Sequence, residues 1–460
     1  MGKTITKAFL MHKDVIVARL DIPDSANIKL EYINSSEKAH IPLSGLTNHT
    51  LGCRKWWNTR AINPNRPGSK PILEKLGYTS TNNMLVNNLA LGLSDCYWIK
   101  PYDSDVRWAD VNLFKNDFVD YFGTLSFDPN KPIDNITLLS PSATNGITPK
   151  KWVIDPSGKR HLIKHDEYDE CQQALNEIFA SHINELQGFD NYVKYNRIQL
   201  NIPKANFGVG CTCECFCDEN TELITASDIL RSMGFARPFD PLSSIKKRVV
   251  SMGLDSEQFD RQMDYQIMFD FLISNVDRNT GNFGFLRDAD TLKIKGMAPI
   301  YDNGSSMLLE KHSYFQFNPN IVLSINGLEP TERLMLKHVK DRSVLDLNKL
   351  SSVNFDAYTV YDIFPHYKID TLKDVFYRKL DLLDRFQHGK DIWKKDSKKT
   401  FFNIPFGKPR KQNPDVPENI IPKRNNIMDT EAGKNALKAA KKNSPKDISD
   451  LSNDEWNYFK

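Results

Sequence analysis

The sequence predicts an α+β protein with a strand-rich N-terminal half and a mainly helical C-terminal half. Near-alternating apolar residues open the chain, a second set of alternating segments lies between residues 136 and 217, and from residue 221 onward helical spacing dominates. The chain has 460 residues, 40% hydrophobic and 26% charged, so it can bury several cores and has an ordinary globular composition. A small disulfide scaffold, a fibrous repeat and disorder throughout are excluded.

Residues 5 to 45 read as short strands and turns, with Phe9, Met11, Val15, Val17 and Leu20 in near alternation. Residues 46 to 98 read as a helical layer covering them: Trp56, Trp57, Leu73, Leu76, Leu85, Leu89 and Leu91 are set among prolines and capping Ser, Thr and Asn residues. The two tryptophans and the Tyr97, Trp98, Ile99 run read as core aromatics. Next come a strand (ITLLS), a polar loop (PSATNGITPK) and a hairpin (KWVIDPSGKRHLIK) that turns at DPSG. An amphipathic helix is predicted from Glu167 to Leu186, with Leu175, Ile178, Phe179, His182, Ile183 and Leu186 on one face and His182 as a core residue. Strands follow around 191 to 217, then helices interrupted by one hairpin between 283 and 301. Beyond about residue 395 a Pro-rich, charged stretch reads as a linker or tail that ends in DLSNDEWNYFK.

The net charge of +3 is unevenly placed. From Lys390 to the end there are 16 Lys plus Arg against 10 Asp plus Glu, leaving −3 for residues 1 to 389. A mildly acidic body with a basic tail gives only a weak attraction for acidic partners. Seven cysteines, four of them in CTCECFC at 211 to 217, do not resemble a secreted disulfide framework and fit a reducing compartment. The opening MGKTITKAFLMHKD lacks the apolar core and cleavage site of a signal peptide, and no stretch approaches 18 uninterrupted apolar residues. A cytoplasmic protein with no membrane association is expected. Gly2 and Thr6 match a myristoylation pattern, but one too short to specify a lipid anchor.

The sharpest chemical signal is SNVDRNTGNFGF, residues 274 to 285. It follows a helical stripe of Phe259, Met263, Ile267 and Phe271. Asp277 and Asn282, five apart, suit phosphoryl transfer, in which a carboxylate orients the attacking hydroxyl and an amide oxygen helps hold a divalent cation. In APIYDNGSS, Asp302 leaves a short apolar strand into a Gly and Ser turn, as a second cation ligand should. Upstream, Lys164 ends a hairpin strand and Glu177 lies thirteen positions on, in the following helix. A lysine on phosphate oxygens, oriented by a helix carboxylate, would complement the cation. Taken alone, DRNTGN also reads as an Asx turn ending a helix, and Lys164 as a surface lysine. The loop at 140 to 152 lies where a phosphate cover belongs. It holds one glycine, Gly146, and matches neither common phosphate-loop motif, so backbone amides and the Ser142 and Thr144 hydroxyls would have to contact phosphate.

In this order, the hydroxyl-rich loop, K-W hairpin, LIK lysine, helix glutamate, DRNxxN and YDNGSS resemble the HipA-type serine/threonine kinases. LSDCYWIKP and RKWWNTRAINPNR look like the N-terminal region that accompanies many of them, so the resemblance spans roughly residues 5 to 390. It implies a two-lobed protein-kinase-like fold: a HipA-like N-terminal region over 1–130, an N-lobe with hinge strand over 131–220, a helical C-lobe over 221–394 and a basic flexible tail over 395–460. It implies ATP and Mg2+ as cofactors, Asp277 as catalytic base, Asn282 and Asp302 as magnesium ligands, Lys164 as the phosphate-contacting lysine and Glu177 as its partner. Ser142, Ala143, Thr144, Asn145, Gly146 and Ile147 would cover ATP, and the backbone at Glu214, Cys215 and Phe216 would meet adenine. Family members can phosphorylate a serine in this loop and so switch themselves off; the hydroxyls here are Ser140, Ser142 and Thr144, and Ser142 is favoured over Ser140. The partner implied is a protein with a serine or threonine acceptor. Some members are toxins held by a small DNA-binding antitoxin, and the chain itself shows no helix-turn-helix pattern for sequence-specific DNA binding.

Placing CTCECFC in the hinge strand gives the cysteines a bland role: alternate residues about 6.6 to 6.8 Å apart on one face cannot easily close around one zinc. Zinc or redox chemistry in a flexible loop is the competing reading. A small-molecule or lipid kinase, and an ATP-binding scaffold that transfers nothing, are the alternatives to a protein kinase.

Overall fold

The computed structural model describes residues 5 to 392 apart from 26, 46–48, 134–135, 145, 167–170, 203–207, 235–238, 310–321, 360–363 and 365. Gly2, Asn145, Glu167 and the tail beyond 395, with its DLSNDEWNYFK end, lie outside the described residues.

Strands β1 (Lys7–His12), β2 (Val15–Asp24) and β3 (Asn27–Ile33) follow one another as antiparallel hairpins. Strand β4 (Tyr97–Pro101) returns to pair with β1, giving the order β3-β2-β1-β4. Ala8, Leu10, Val17 and Leu20 pack against Cys53 and Trp57 of helix α1 (His49–Arg60). Helices α2 (Ser69–Lys75) and α3 (Thr81–Asn87) complete the covering layer. The helical reading over 46 to 98 therefore ran too far, because Tyr97 and Trp98 are sheet. Tyr97 and Ile99 join the cluster beneath α1, whereas Trp98 enters a second cluster with Trp108 and Phe118. With both faces covered, the strand lacks the alternation that marks a half-exposed one. Two short helices follow, α4 (Trp108–Val111) and α5 (Tyr121–Phe127).

The second sheet has the order β5-β6-β8-β7, built from β5 (Lys150–Ile154), β6 (Arg160–His165), β7 (Asn196–Gln199) and β8 (Val209–Glu214). Its first hairpin turns where expected: Asp155 Oδ1 accepts the amides of Ser157 and Lys159, both at 2.8 Å. Helix α6 (Gln172–Gln187) packs across this sheet with Leu175, Phe179 and Ile183 buried. It begins later than periodicity suggested. Cys171 sits at φ 52°, outside helical space, and the Asp166 carboxylate caps the first turn by accepting the amides of Gln173 (2.6 Å) and Ala174 (3.1 Å).

The third sheet, β11-β10-β9, uses β9 (Thr221–Thr225), β10 (Gly284–Asp288) and β11 (Ile294–Met297). The hairpin between 283 and 301 is present. The strand β9 was not anticipated, because five residues whose partner lies some sixty positions away carry no local signal. At their contact, a Cβ on Gly284 would stand 2.4 Å from the Ile224 carbonyl oxygen, so only glycine fits. The remaining helices are α7 (Ala226–Ser232), α8 (Pro241–Ser251), α9 (Ser256–Leu272), α10 (Glu332–Leu336) and α11 (His366–Gln387). Phe259, Met263, Ile267 and Phe271 of α9 are buried as the stripe requires, but so are Tyr265, Met268 and Phe269, because α9 is central and wrapped on most sides. Phe179 of α6 meets Phe355, Tyr358 and Phe376 at 5.0 to 5.6 Å, joining α6 to α11. Among the described residues no helix is long and apolar enough to cross a membrane.

A buried polar network ties the first sheet to the third. Glu222 on β9 takes Arg287 of β10 through Nε (2.9 Å) and Nη2 (2.6 Å), and His12 of β1 through Nε2 (2.9 Å). It also accepts the Cys96 amide at 2.8 Å. Burial opposes ionisation of Glu222, but Arg287 and then His12 outweigh it and depress its pKa from 4.5 to about 2. A depressed carboxylate contributes stability above its unfolded pKa, so this contribution should be lost as pH falls from 4.5 toward 2. Arg287→Ala would remove the larger of the two charges facing the buried Glu222 and leave its Oε2 without the guanidinium. We expect a loss of about 3 to 5 kcal/mol in denaturant unfolding at neutral pH.

Candidate active site

Lys164 lies near the C-terminal end of β6, and Glu177 lies one and a half turns into α6. The sheet and helix packing brings the Lys164 ammonium to 2.6 Å from Glu177 Oε1 and 2.9 Å from Asp302 Oδ1, while Nζ stands 5.0 Å above the ring of Tyr195. Glu177 also holds the residue that follows Asp302, since its Oε2 accepts the Asn303 amide at 2.8 Å. The neighbouring Asn176 holds the following turn by donating to the carbonyls of Gly304 (2.7 Å) and Ser306 (2.8 Å), and Tyr358 O–H donates to Asn176 Oδ1 at 2.8 Å. Asp302 itself sits at φ 59°, a left-handed conformation that a non-glycine residue keeps only when its surroundings hold it there. Burial works against both charges, yet Asp302 and Glu177 hold Lys164 well above the usual lysine range. Lys164 and Lys150 likewise hold Asp302 well below the carboxylate range despite its desolvation.

Asp277 and Asn282 lie on the loop after α9. Asn282 Nδ2 donates to the Asp277 carbonyl at 2.8 Å, which ties the two ends of the loop together. Asp277 Oδ1 accepts from Asn279 Nδ2 (2.9 Å) and Asn326 Nδ2 (2.7 Å), whereas Oδ2 has a longer contact of 3.4 Å with Asn282. Arg278, between the two, is buried and binds Asp270 on α9, the Asn282 carbonyl (2.8 Å), the Tyr301 carbonyl and Asn303 Oδ1 (2.6 Å). Its guanidinium therefore stitches the Asp277 loop to the Asp302 segment. The residues read as a cation site are oxygen donors, Asp302 carboxylate and Asn282 amide, a set that suits hard Mg2+. Among the described residues no three His, Cys, Asp or Glu side chains converge on a metal-sized site. Two protein oxygens are too few for a closed cage and fit a cation shared with phosphate oxygens.

The loop at 140 to 147 is held against the N-terminal layer. The Ser140 amide donates to Asn88 Oδ1 at 2.7 Å, and the Ser142 amide and hydroxyl both donate to the Leu91 carbonyl at 3.3 Å. Arg66 Nη2 donates to the carbonyls of Thr144 (2.9 Å) and Gly146 (3.0 Å). A Cβ on Gly92 would stand 2.9 Å from the Ala143 methyl, so the two chains touch. Ser142 is only 1% exposed; its hydroxyl faces protein, and modifying it requires the loop to leave this seat. Gly146 adopts φ 87° above the Lys150 ammonium, and Ile147 is exposed. Lys150 is the direct cross-strand partner of Lys164, and burial followed by the Lys164 charge pushes its pKa down to about 7.

At the expected hinge, the Cys215 amide is committed to the Arg160 carbonyl at 2.7 Å and the exposed Glu214 carboxylate to Lys159 at 2.9 Å. The Phe216 ring stands 5.8 Å from that of Tyr301. Strand β8 stops at Glu214, so the four cysteines do not share one strand face. Cys211 and Cys213 pack with Ala174, Val193 and Tyr195, whereas Cys215 and Cys217 enter the Trp98 cluster. Burial pushes the thiols of Cys213 and Cys215 up to about 12.

Lys164, Glu177 and Asp302 thus come together directly, with Asp277 and Asn282 joined to them through Arg278. Sequence reasoning missed Arg278, Lys150, Asn326 and Arg66. The arginine inside DRN, the doubled lysine of KKW and the arginine that ends RKWWNTRAINPNR were visible signals; Asn326 had none.

No family model matches the chain, and no curated protein does. Among solved structures, the Helicobacter pylori proinflammatory kinase CtkA is similar at 15% identity over 53% of this chain and 91% of its own, with a TM-score of 0.36. A hydra Fam20 structure with sugar is similar at 15% identity over 54% of this chain and 82% of its own, with a TM-score of 0.30. Overlaps this loose carry no functional weight.

Removing the Arg66 fork should free the loop without unfolding the protein. In Arg66→Ala we expect amide exchange at Ser142 to quicken at least about tenfold, because three hydrogen bonds from a charged donor to the Thr144 and Gly146 carbonyls are lost. Exchange within α9 should be unchanged, as read by hydrogen-exchange mass spectrometry.

Proposed function

We propose that the chain is an ATP- and magnesium-dependent serine/threonine protein kinase of the HipA type, with a two-lobed kinase-like fold. The observation that carries this reading is the Lys164 ammonium held between Glu177 and Asp302, with Asp277 and Asn282 on a loop that Arg278 ties to the Asp302 segment. Phosphoryl transfer needs cationic groups on the phosphate, oxygen ligands for magnesium and a carboxylate that receives the acceptor proton, and these are the groups assembled.

In this reading Glu177 aims Lys164 at phosphate oxygens, and Lys150 adds a second ammonium whose protonation a bound polyphosphate would restore. Asp302, now paired with Lys164, and the Asn282 amide oxygen are the groups that would hold the cation. Magnesium, when bound, supplies charge that neutralises the transferred phosphoryl group. Asp277 Oδ2, the less occupied oxygen, accepts the hydrogen bond of the serine or threonine hydroxyl and then its proton. The loop at 142 to 147 would cover the phosphates, and the backbone at Glu214, Cys215 and Phe216 would meet adenine. Ser142 becomes a phosphorylation site only when the loop leaves Leu91 and Arg66; phosphate there, at about −1.5 to −2 charge, would compete for Lys164.

A radiolabelled ATP assay on wild type and Asp277→Asn tests the reading. The nearly isosteric variant should lose transfer by at least about a hundredfold and retain nucleotide affinity. Full activity in Asp277→Asn would remove the assignment. Asp302→Ala should abolish the magnesium dependence of ATP binding in calorimetry, since it deletes a direct charge on the cation. Equal affinity with magnesium in this variant and wild type would rule out Asp302 as a ligand.

A further inference from the structure

Residues 323 to 331 lie against the Asp277 loop. The Asn326 amide donates to the Val276 carbonyl at 2.7 Å, and its side-chain Nδ2 donates to Asp277 Oδ1 at 2.7 Å. The segment is built to hold this contact. Ser324 and Thr331 pair as an antiparallel bridge, and the Ile325 amide donates to the Pro330 carbonyl at 3.1 Å. Leu323 and Leu328 are buried, and the Leu323 amide donates at 3.1 Å to Glu332, which is itself buried against Lys379. Asn326, by contrast, is exposed, so what fixes its side chain is Asp277 and not burial.

The two oxygens of Asp277 are unequally served. Oδ1 takes both short amide contacts, from Asn279 and Asn326, and these fix the rotation of the carboxylate. Oδ2 is left toward Asn282 and so toward the cation side of the site. We infer that Asn326 is a positioning residue that holds Asp277 with Oδ2 facing the reaction. This rests on the kinase reading. A carboxylate free to rotate would present the wrong oxygen, or the same one at a poor angle, for much of the time.

The test compares wild type, Asn326→Ala and Asn326→Asp as full-length protein. Transfer from ATP is followed to dephosphorylated casein and to water, alongside MgATP affinity by calorimetry. Losing a hydrogen bond to a charged group should lower kcat about 10- to 100-fold in Asn326→Ala. KM for MgATP and melting temperature should be nearly unchanged, since the residue is exposed and touches no nucleotide-binding group. Asn326→Asp keeps the size but sets two carboxylates together, and should lose at least as much. Unchanged kcat in both variants, with Asp277→Asn inactive, would overturn the inference and leave the kinase reading standing. A raised kcat would mean that Asn326 blocks the acceptor's place, and would overturn it equally. Wild type that transfers nothing to either acceptor would remove both.

Discussion

Lys164 is a cation shared by two carboxylates that reach it from different directions: Glu177 from a helix and Asp302 from a turn 138 positions further along the chain. Charges taken out of water gain from one another only when their geometry is good and their remaining lone pairs are satisfied. Much of the surrounding structure meets that condition. Sheet two and α6 set the Lys164 to Glu177 distance, and the Asn303 amide occupies the second oxygen of Glu177. Asn176 pins the turn after Asp302, and the aromatic contacts of Phe179 fix the helix that carries both Asn176 and Glu177. Arg278 then gives the Asp277 loop the same frame of reference. The positions of acid, amide and ammonium are thus one problem, solved largely through α6.

The parts that were legible in the sequence are those in which function and local structure share the same few residues. DRNTGN and YDNGSS concentrate polar groups in short turns next to strongly periodic apolar segments, so the end of a helix or strand announces a site. Lys164 and Glu177 were reachable because a hairpin followed by a helix has predictable ends and phase. What stayed hidden depends on contacts distant in sequence. Asn326 meets Asp277 across 49 positions, and Arg66 meets Thr144 across 78. Asn326 sits in no pattern that distinguishes it from any surface Asn, and RKWWNTRAINPNR, which ends at Arg66, does not show that this arginine reaches the loop. The strands at 97 to 101 and 221 to 225 escaped for related reasons: one is covered on both faces and the other is too short to show a period. Ser142 was read as a hydroxyl facing phosphate, and in this structure it faces the Leu91 carbonyl, because the N-terminal layer competes for the same loop.

The grip of Arg66 on the Thr144 and Gly146 carbonyls makes two regions of the chain thermodynamically dependent on one another. If a ligand favours the seated loop, it strengthens the attachment of residues 60 to 92. Anything that seizes those residues from outside then changes the ligand's affinity by the same factor, because coupling free energy is reciprocal. The N-terminal layer is in that sense a lever whose short arm rests on the loop. A macromolecule bound to that layer, away from Lys164, would then sense whether the loop is seated, or decide it.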